Sequence, residues 1–267
     1  MSARLSAWAL VLGSAAAVAG FAWPFFAAAA PPQAQAALPW VALALVPALV
    51  VALAVALDRG LVSARTIALL GVLAAIGAAV RVAGGGIGGV EPVFIVLVLA
   101  GRALGARFGF LLGVCVIAVS SAVTGGFGPW TPFQMFACAW VAAGAGLLPA
   151  IRSRTGELVL LAAYGAVASI GYGLVSNLWF WPFAVGFEAS IAYDPAASAG
   201  ENLASFWLYS LATSTLTWDV VRAFTTVLGV SLLGRPVLAA LRRAGLPGAG
   251  PRPGDPSTTI GIVVQKP

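Results

Sequence analysis

Long apolar runs, separated by short polar or Gly- and Pro-rich breaks, dominate the chain. A helix needs about 20 apolar residues to cross about 30 Å of hydrocarbon, and on that measure the pattern predicts transmembrane helices. The eight candidate spans lie near residues 5–26, 38–57, 66–82, 90–104, 107–123, 131–151, 158–181 and 205–233. Only ten residues separate Glu91 from Arg102, so we expect the fourth span to be short, tilted or partly re-entrant.

The overall composition points to the same class of protein. Hydrophobic residues make up 61% of the 267 residues and charged residues only 8%, whereas a soluble domain carries about 25% charged residues. With so few charges the chain cannot cover its own surface in water, so lipid must cover it. We therefore predict an all-α integral membrane protein with about eight transmembrane helices, a multi-pass protein of the plasma membrane.

The basic residues fall on one side of this arrangement. If the spans alternate in direction, that side carries Arg4, Arg59, Arg65, Arg102, Arg107, Arg152, Arg154, Arg235, Arg242, Arg243 and Arg252. The opposite loops, around 27–37, 83–90, 124–130 and 182–204, contain no arginine or lysine, although Arg81 lies at the edge of one of them. Because cytoplasmic loops carry the excess of arginine and lysine, both termini are predicted to be cytoplasmic.

The N-terminal span has a second interpretation. Arg4, the apolar run to Phe26 and the Ala/Pro-rich stretch after it resemble a signal peptide, with Ala34-Gln35-Ala36 as a candidate cleavage site. The run is longer than a usual signal sequence, and Pro24 suits a retained span. Cleavage would leave seven helices and an outside N-terminus, and this alternative stays open.

Polar residues divide the chain into three parts. Residues 1–57 form a predicted transmembrane hairpin without a buried charge, and we interpret it as accessory. Residues 58–244 contain six spans with intramembrane polar side chains and form the predicted substrate-binding membrane core. Residues 245–267 are rich in Pro, Gly, Ser and Thr and are predicted to be a disordered cytoplasmic tail.

The sequence argues against several kinds of chemistry. It contains no histidine, and Cys115 and Cys138 are its only cysteines, which argues against a zinc or haem site. Its only lysine is Lys266, so it has no G-x-x-x-x-G-K-[ST] phosphate-binding loop. A membrane enzyme would need clustered acids to hold a metal. The aspartates are instead scattered, at Asp58, Asp194, Asp219 and Asp255. We predict no catalytic residue, metal or cofactor, and no ATP hydrolysis by this chain alone.

A glycine loop, AGGGIGG at 83–89, contains a formal G-x-G-x-x-G. It follows a predicted transmembrane helix and not a strand, so a dinucleotide site is not indicated. We interpret the segment as a flexible outer loop that allows close backbone approach or gate movement, with a plain linker as the alternative. Arg81 and Glu91 flank the loop, where they are expected to bridge it or to hold a charged substrate.

Two aromatic segments are expected at the same outer face. In GPWTPFQM, Thr131 and Pro132 suit the start of a helix, Trp130 suits an interfacial anchor, and Gln134 lies one turn inside. The second segment ends its helix with Asn177 and Trp179, and Tyr172 lies a turn deeper. Aromatic belts also occur without any ligand. The convergence of these segments with the glycine loop favours an outward-facing pocket, and Trp130, Gln134, Tyr172, Asn177 and Trp179 are predicted to contribute to substrate binding there.

Two further patterns lie within predicted spans. Asp219 and Arg222 are spaced i, i+3 and are expected to pair, either as a clamp between helices or as a ligand contact. Small residues repeat at Ala74/Ala78 and at Ala75/Ala79, a spacing that lets another helix approach closely.

Residues from about 65 to 243 resemble the S components (substrate-specific subunits) of energy-coupling factor (ECF) transporters. The resemblance rests on the paired Ala-x-x-x-Ala, the glycine loop, and the segments EPVFIVLVLAGRALG, GPWTPFQMFACAWVAAGAGLLP, WDVVRAF and GRPVLAALRRA. It is strongest for the actinobacterial type with an added N-terminal hairpin.

The resemblance implies a six-helix core that binds a vitamin, a vitamin precursor or another micronutrient from outside. It further implies a transmembrane coupling subunit and two ATPase subunits as partners, with ATP used by those subunits and no nucleic acid involved. Ala75 and Ala79, or Ala74 and Ala78, would match the contact with the coupling subunit. A cobalamin-related ligand is one expectation. The alternative function is a proton- or ion-coupled secondary transporter that uses Glu91 or the Asp219/Arg222 pair.

Overall fold

The computed structural model describes residues 3–27, 40, 64–85, 87–184 and 190–245, and this part of the chain contains helices and no strand. The helices are α1 (Ala3–Phe21), α2 (Trp23–Ala27), α3 (Ala64–Gly84), α4 (Val93–Leu104), α5 (Ala106–Thr124), α6 (Thr131–Leu147), α7 (Arg154–Phe180), α8 (Ala199–Ser210) and α9 (Val220–Gly245). A 3-10 turn, Trp181–Phe183, follows α7, and the π-helical segment Leu211–Asp219 joins α8 to α9.

Four helical stretches in the described part are long and apolar enough to cross a membrane: Ala64–Gly84, Ala106–Thr124, Arg154–Phe183 and Ala199–Ala244. The all-helical class predicted from the sequence is therefore confirmed. The predicted second span, 38–57, and the predicted disordered tail, 245–267, lie outside the described residues, apart from Trp40 and Gly245. The last predicted span, 205–233, forms the middle of a much longer continuous helix.

Helix α4 is short because it lies at the centre of the bundle. It has only 12 residues, and its side chains Phe94, Leu97 and Val98 are fully buried. Helices α3, α5, α6, α7 and α9 all pack against it. Surrounded by protein, α4 does not need the length that a lipid-facing span requires, which explains the narrow spacing between Glu91 and Arg102.

Helix α6 packs in backbone contact with its neighbours. A Cβ atom added at Gly101 in α4, or at Gly109 or Gly113 in α5, would collide with the α6 backbone at Ala139 or Ala142. Small residues permit this close approach of helices in an apolar environment. Helices α4, α5 and α6 therefore form a tightly packed unit.

The N-terminal helices pack against the rest of the chain. Phe21 is buried against Phe133 at a ring distance of 4.8 Å, and Trp23 lies 5.9 Å from the ring of Tyr193. The Tyr193 hydroxyl donates a hydrogen bond of 3.3 Å to the Pro24 carbonyl. Burial, and then the nearby Asp194 carboxylate, raise the pKa of Tyr193.

Arginines gather at one end of the bundle, which we call the arginine end. There Arg65 Nη2 at the start of α3 donates to the carbonyl of Arg243 near the end of α9, at 3.2 Å. Arg102, at the end of α4, and Arg242, on α9, both bind Glu157 in the first turn of α7. The glycine loop, the start of α6 and the end of α7 lie at the opposite end, the glycine-loop end.

The two small-residue pairs lie on different faces of α3, one buried and one exposed. Ala74 and Ala78 are buried, at 3% and 2% exposure, on the face that packs within the bundle. Ala75 and Ala79 are exposed on the other face. As a contact for a separate subunit, the Ala74/Ala78 alternative is therefore wrong in this fold, because those side chains are already covered by the chain itself.

Candidate functional site

Arg222 is the centre of a buried charge network. Its Nη1 lies 2.6 Å from Asp219 Oδ1, and its Nη2 lies 2.9 Å from Glu91 Oε1. Nη1 also donates to the Ser169 carbonyl at 3.2 Å. The predicted Asp219–Arg222 pair is thus present, and it is extended by a second carboxylate, Glu91, that the helix spacing could not supply.

Aromatic rings complete the surroundings of Arg222. Its guanidinium carbon lies 4.9 Å from the ring centre of Tyr172 and 5.5 Å from that of Phe94. The side chain is only 6% exposed, and a buried guanidinium is stable only when it is paired and hydrogen-bonded. Two carboxylates bind its terminal nitrogens and two rings cover its faces, whereas the buried Nε has no hydrogen-bond partner.

The π-helical segment carries Asp219 into this network. Such segments are rare and occur frequently at functional sites. Ser214, in the same segment, donates to Asp219 Oδ2 at 3.3 Å and accepts a hydrogen bond of 2.6 Å from Asn177 Nδ2. Gly173 of α7 faces the carboxylate, and a Cβ there would collide with it. The missing side chain at Gly173 therefore provides the space that the Asp219 carboxylate occupies beside α7.

Arg81 has different partners from those predicted. Its Nη1 donates to Ser120 Oγ at 3.0 Å, and its Nη2 donates to Gln134 Oε1 at 3.2 Å. It makes no ion pair with Glu91 among the described residues. The expected bridge across the glycine loop is therefore wrong, because each of the two charges binds a polar group on another helix.

A cavity of about 240 Å³ lies between Arg81 and Glu91. Its lining residues come from α3, the glycine loop, α5, α6, α7 and the π-helical segment: Arg81, Val82, Gly84, Gly85, Ile87, Gly89, Glu91, Thr124, Gln134, Tyr172 and Trp218. Four of the residues predicted to bind substrate therefore share one cavity. It offers a guanidinium, a carboxylate, an amide and an aromatic ring.

Gly89 closes the glycine loop onto the π-helical segment. Its φ is +78°, a conformation that glycine adopts without strain and other residues rarely adopt. A Cβ at this position would lie 2.9 Å from Trp218 Cα, so a larger residue is also excluded by contact. The neighbouring Gly88 faces open space. Gly86 lies outside the described residues.

The other predicted binding residues lie around the cavity and not on its wall. Trp130 is 47% exposed, as an interfacial anchor would be. Trp179 Nε1 donates to the Pro129 carbonyl at 3.3 Å, and its ring packs 5.4 Å from Phe133. Asn177, Asp219 and Arg222 form a layer behind the wall, linked to it through Glu91.

The start of α6 differs slightly from the prediction. Thr131 is the first helical residue, and Trp130 precedes it. The Thr131 hydroxyl accepts a 2.9 Å hydrogen bond from the Gly128 backbone amide, outside the helix. The hydroxyl therefore holds the preceding turn and does not cap the helix.

Several contributing residues were not identified from the sequence. Ser120 and Thr124 lie on α5, near Arg81 and the cavity, and Ser214 and Trp218 belong to the π-helical segment. The pair Ser120-Ser121 within an apolar run was a usable signal. Ser214 and Trp218 gave none, because helical periodicity does not predict a π-helical segment.

Within the described residues, no group of three or more His, Cys, Asp or Glu side chains is placed to hold a metal ion. No protein-family model, curated protein or solved structure matches this chain. The function of the site therefore has to be argued from its own geometry.

Proposed function

We propose that this chain is the substrate-binding membrane subunit of an ATP-driven importer of the ECF type. It captures a vitamin or another micronutrient from outside and delivers it together with a coupling subunit and two ATPase subunits. The observation that carries this proposal is the cavity between Arg81 and Glu91 at the glycine-loop end of the bundle.

The cavity chemistry defines the class of ligand. Arg81 and Glu91 face one space without forming an ion pair with each other. A ligand with a hydrogen-bond acceptor for Arg81 and a hydrogen-bond donor for Glu91 therefore fits better than a purely apolar one. A volume of about 240 Å³ is below the range of about 300–1,000 Å³ that is usual for drug-sized ligands. This size favours a compact polar vitamin or precursor over a cobalamin-related ligand.

The partner proposal rests on α3. Ala75 and Ala79 are exposed on the same face as Gly71, so another helix can approach the α3 backbone closely there. The sequence has no phosphate-binding loop for ATP. In this proposal, energy for uptake enters through such a contact, from a coupling subunit that is itself driven by ATPases.

The orientation follows from the charges. With the arginine end in the cytoplasm, the positive-inside rule is satisfied, both termini are cytoplasmic, and the glycine-loop end with its cavity faces outward. This orientation suits a subunit that collects substrate from the medium.

Affinity purification of the tagged full chain from its native membrane tests the proposal. We expect a coupling subunit and two ATPases to co-purify, and the isolated chain to bind one member of a panel of vitamins and precursors in a thermal-shift screen. Purification of the chain alone, together with uptake that needs no ATPase, would overturn the proposal.

A secondary transporter is the second candidate, because Glu91 both lines the cavity and binds the buried Arg222. Ionisable residues within a membrane often serve as proton relays. Uptake into cells distinguishes the two functions. An ECF-type importer stops when ATP is depleted, whereas a proton-coupled carrier stops when the proton gradient is collapsed at constant ATP.

A further inference from the structure

A second cavity, of about 300 Å³, lies at the arginine end between α7 and α9. Three arginines line it, Arg154 from the start of α7 and Arg235 and Arg242 from α9. Glu157 is the one carboxylate on its wall. This cavity takes no part in the proposed substrate site, which lies at the other end of the bundle.

The charges of this cavity are not balanced. Glu157 Oε1 already accepts hydrogen bonds from Arg102 at 2.7 Å and from Arg242 at 2.6 Å. Arg235 donates to the Thr155 hydroxyl at 3.2 Å and forms no ion pair, and neither does Arg154, with any described residue. Positive charge therefore remains for an anion.

An apolar groove of about 470 Å³ continues from this cavity along the same two helices. The two spaces share Leu158. The groove is lined by Thr155, Leu158, Val159, Ala162, Ala163, Ala166, Val227 and Ser231. From Thr155 to Ala166 the α7 face extends about 16 Å at 1.5 Å per residue, which is about half of a 30 Å hydrocarbon layer. The groove is therefore as long as one leaflet.

We infer that the cavity and the groove together bind one phospholipid with an anionic headgroup. The headgroup phosphate lies between Arg154 and Arg235, near the positive N-terminal end of α7, and an acyl chain occupies the groove. Basic pockets between transmembrane helices on the cytoplasmic side recognise anionic lipids in this way. The inference goes beyond the proposed transport function and rests only on its membrane insertion.

Charge and shape together select this occupant. A free phosphate or a soluble organic phosphate would use the arginines but not the groove. A helix of another protein would fill the groove, but it would bring an anion to the arginines only with an acidic side chain or its C-terminal end at that depth. An anionic lipid supplies the anion and the apolar chain in one molecule, and it is present wherever the chain is inserted.

The test uses the full chain in nanodiscs that contain phosphatidylcholine and a small fraction of phosphatidylglycerol, followed by native mass spectrometry of the released complexes. A carbonate wash of the source membranes first establishes insertion. We expect selective retention of phosphatidylglycerol. An arginine near the membrane surface contributes about fivefold in binding, so Arg154→Ala/Arg235→Ala should lower retention roughly 25-fold.

Two matched controls accompany the variants. Arg152→Ala is the control for the arginine variant: it removes an exposed arginine two residues from Arg154 that does not line the cavity, and retention should change less than about twofold.

A second test variant, Ala163→Trp, fills the groove and should also abolish selective retention. Its control is Leu232→Trp, exposed on α9 outside the groove, which should keep selective retention. Thermal unfolding of each variant checks that it is folded.

Each contrary outcome has a defined meaning. Equal retention of the two lipids by the wild type, or no loss in either variant, overturns the inference. If the arginine variant loses retention but Ala163→Trp keeps it, and glycerol phosphate competes, the site binds a soluble anion. If Ala163→Trp disrupts only a complex with another protein, the groove is a protein interface. Extraction of the chain by carbonate would overturn membrane insertion, and with it both the inference and the proposed function.

Discussion

Arg222 Nη2 on α9 lies 2.9 Å from Glu91 Oε1, although 131 residues separate them in the chain. Glu91 lies on the wall of the cavity, and Arg222 lies behind it, paired with Asp219. This ion pair thus connects the candidate binding surface to the interior of the longest helical stretch. The following predictions test that connection and the surfaces around it.

Arg222→Met should strongly destabilise the protein. Removal of the guanidinium leaves the buried Asp219 carboxylate without a charged partner, and breaking such a buried pair costs about 3–5 kcal/mol. Reversible unfolding in mixed micelles measures the change in the free energy of unfolding. Arg152→Met, at an exposed arginine outside both cavities, should cost less than about 1 kcal/mol. Equal stability of the two variants would contradict a structural role for the network.

Gln134→Ala should weaken ligand binding roughly tenfold. The amide lines the cavity and accepts from Arg81, and an unmet hydrogen bond of a buried group costs about 1–3 kcal/mol. Calorimetry on purified protein, with the ligand found in the vitamin screen, measures the affinity. Asn177→Ala serves as the control, because Asn177 binds Ser214 behind the wall. A larger loss in Asn177→Ala than in Gln134→Ala would place the ligand elsewhere.

Gly89→Ala should destabilise the glycine loop, whereas Gly88→Ala should have little effect. An alanine at position 89 would have an unfavourable φ, and its Cβ would collide with the Trp218 backbone. A Cβ at position 88 would have no atom near it. A strained backbone conformation costs on the order of 1–3 kcal/mol. Thermal unfolding and ligand affinity of the two variants provide the comparison, and identical behaviour would show that the loop is a plain linker.

Ala75→Leu/Ala79→Leu should abolish uptake without changing ligand affinity. The added bulk projects from the exposed face of α3 and keeps a partner helix away, while the cavity lies at the end of the bundle. Co-purification with the coupling subunit and uptake into cells measure the effect. Ala204→Leu/Ala212→Leu, at exposed alanines elsewhere, should assemble normally. Normal assembly and transport by the Ala75/Ala79 variant would defeat the partner proposal.

Reporter fusions test the orientation. A fusion at Ala196, in the loop before α8, should report the outside, and a fusion at Gly250 should report the cytoplasm. The prediction rests on the one-sided distribution of arginine. The same side for both fusions would contradict the proposed arrangement of spans.

The sequence predicted those features that depend on local spacing. The distance between Glu91 and Arg102 indicated a short, tilted or partly re-entrant helix, of which the short one is found, and the i, i+3 spacing of Asp219 and Arg222 indicated their pair. Both are present. Periodicity could not choose between Ala74/Ala78 and Ala75/Ala79, because the choice depends on which face of α3 the other helices cover. It also could not pair Glu91 with Arg222, since that contact exists only in the packed bundle.

Helix α9 extends without interruption from Val220 to Gly245. It carries Arg222 in one charge network and, 20 residues later, Arg242 in the other. At 1.5 Å per residue these anchor points are about 30 Å apart on a single rod, with Pro236 as the position at which the rod most easily bends. Because both networks hold the same helix, a displacement of Arg222 beside the cavity would move Arg242 relative to Glu157 unless the helix bends at Pro236 between them.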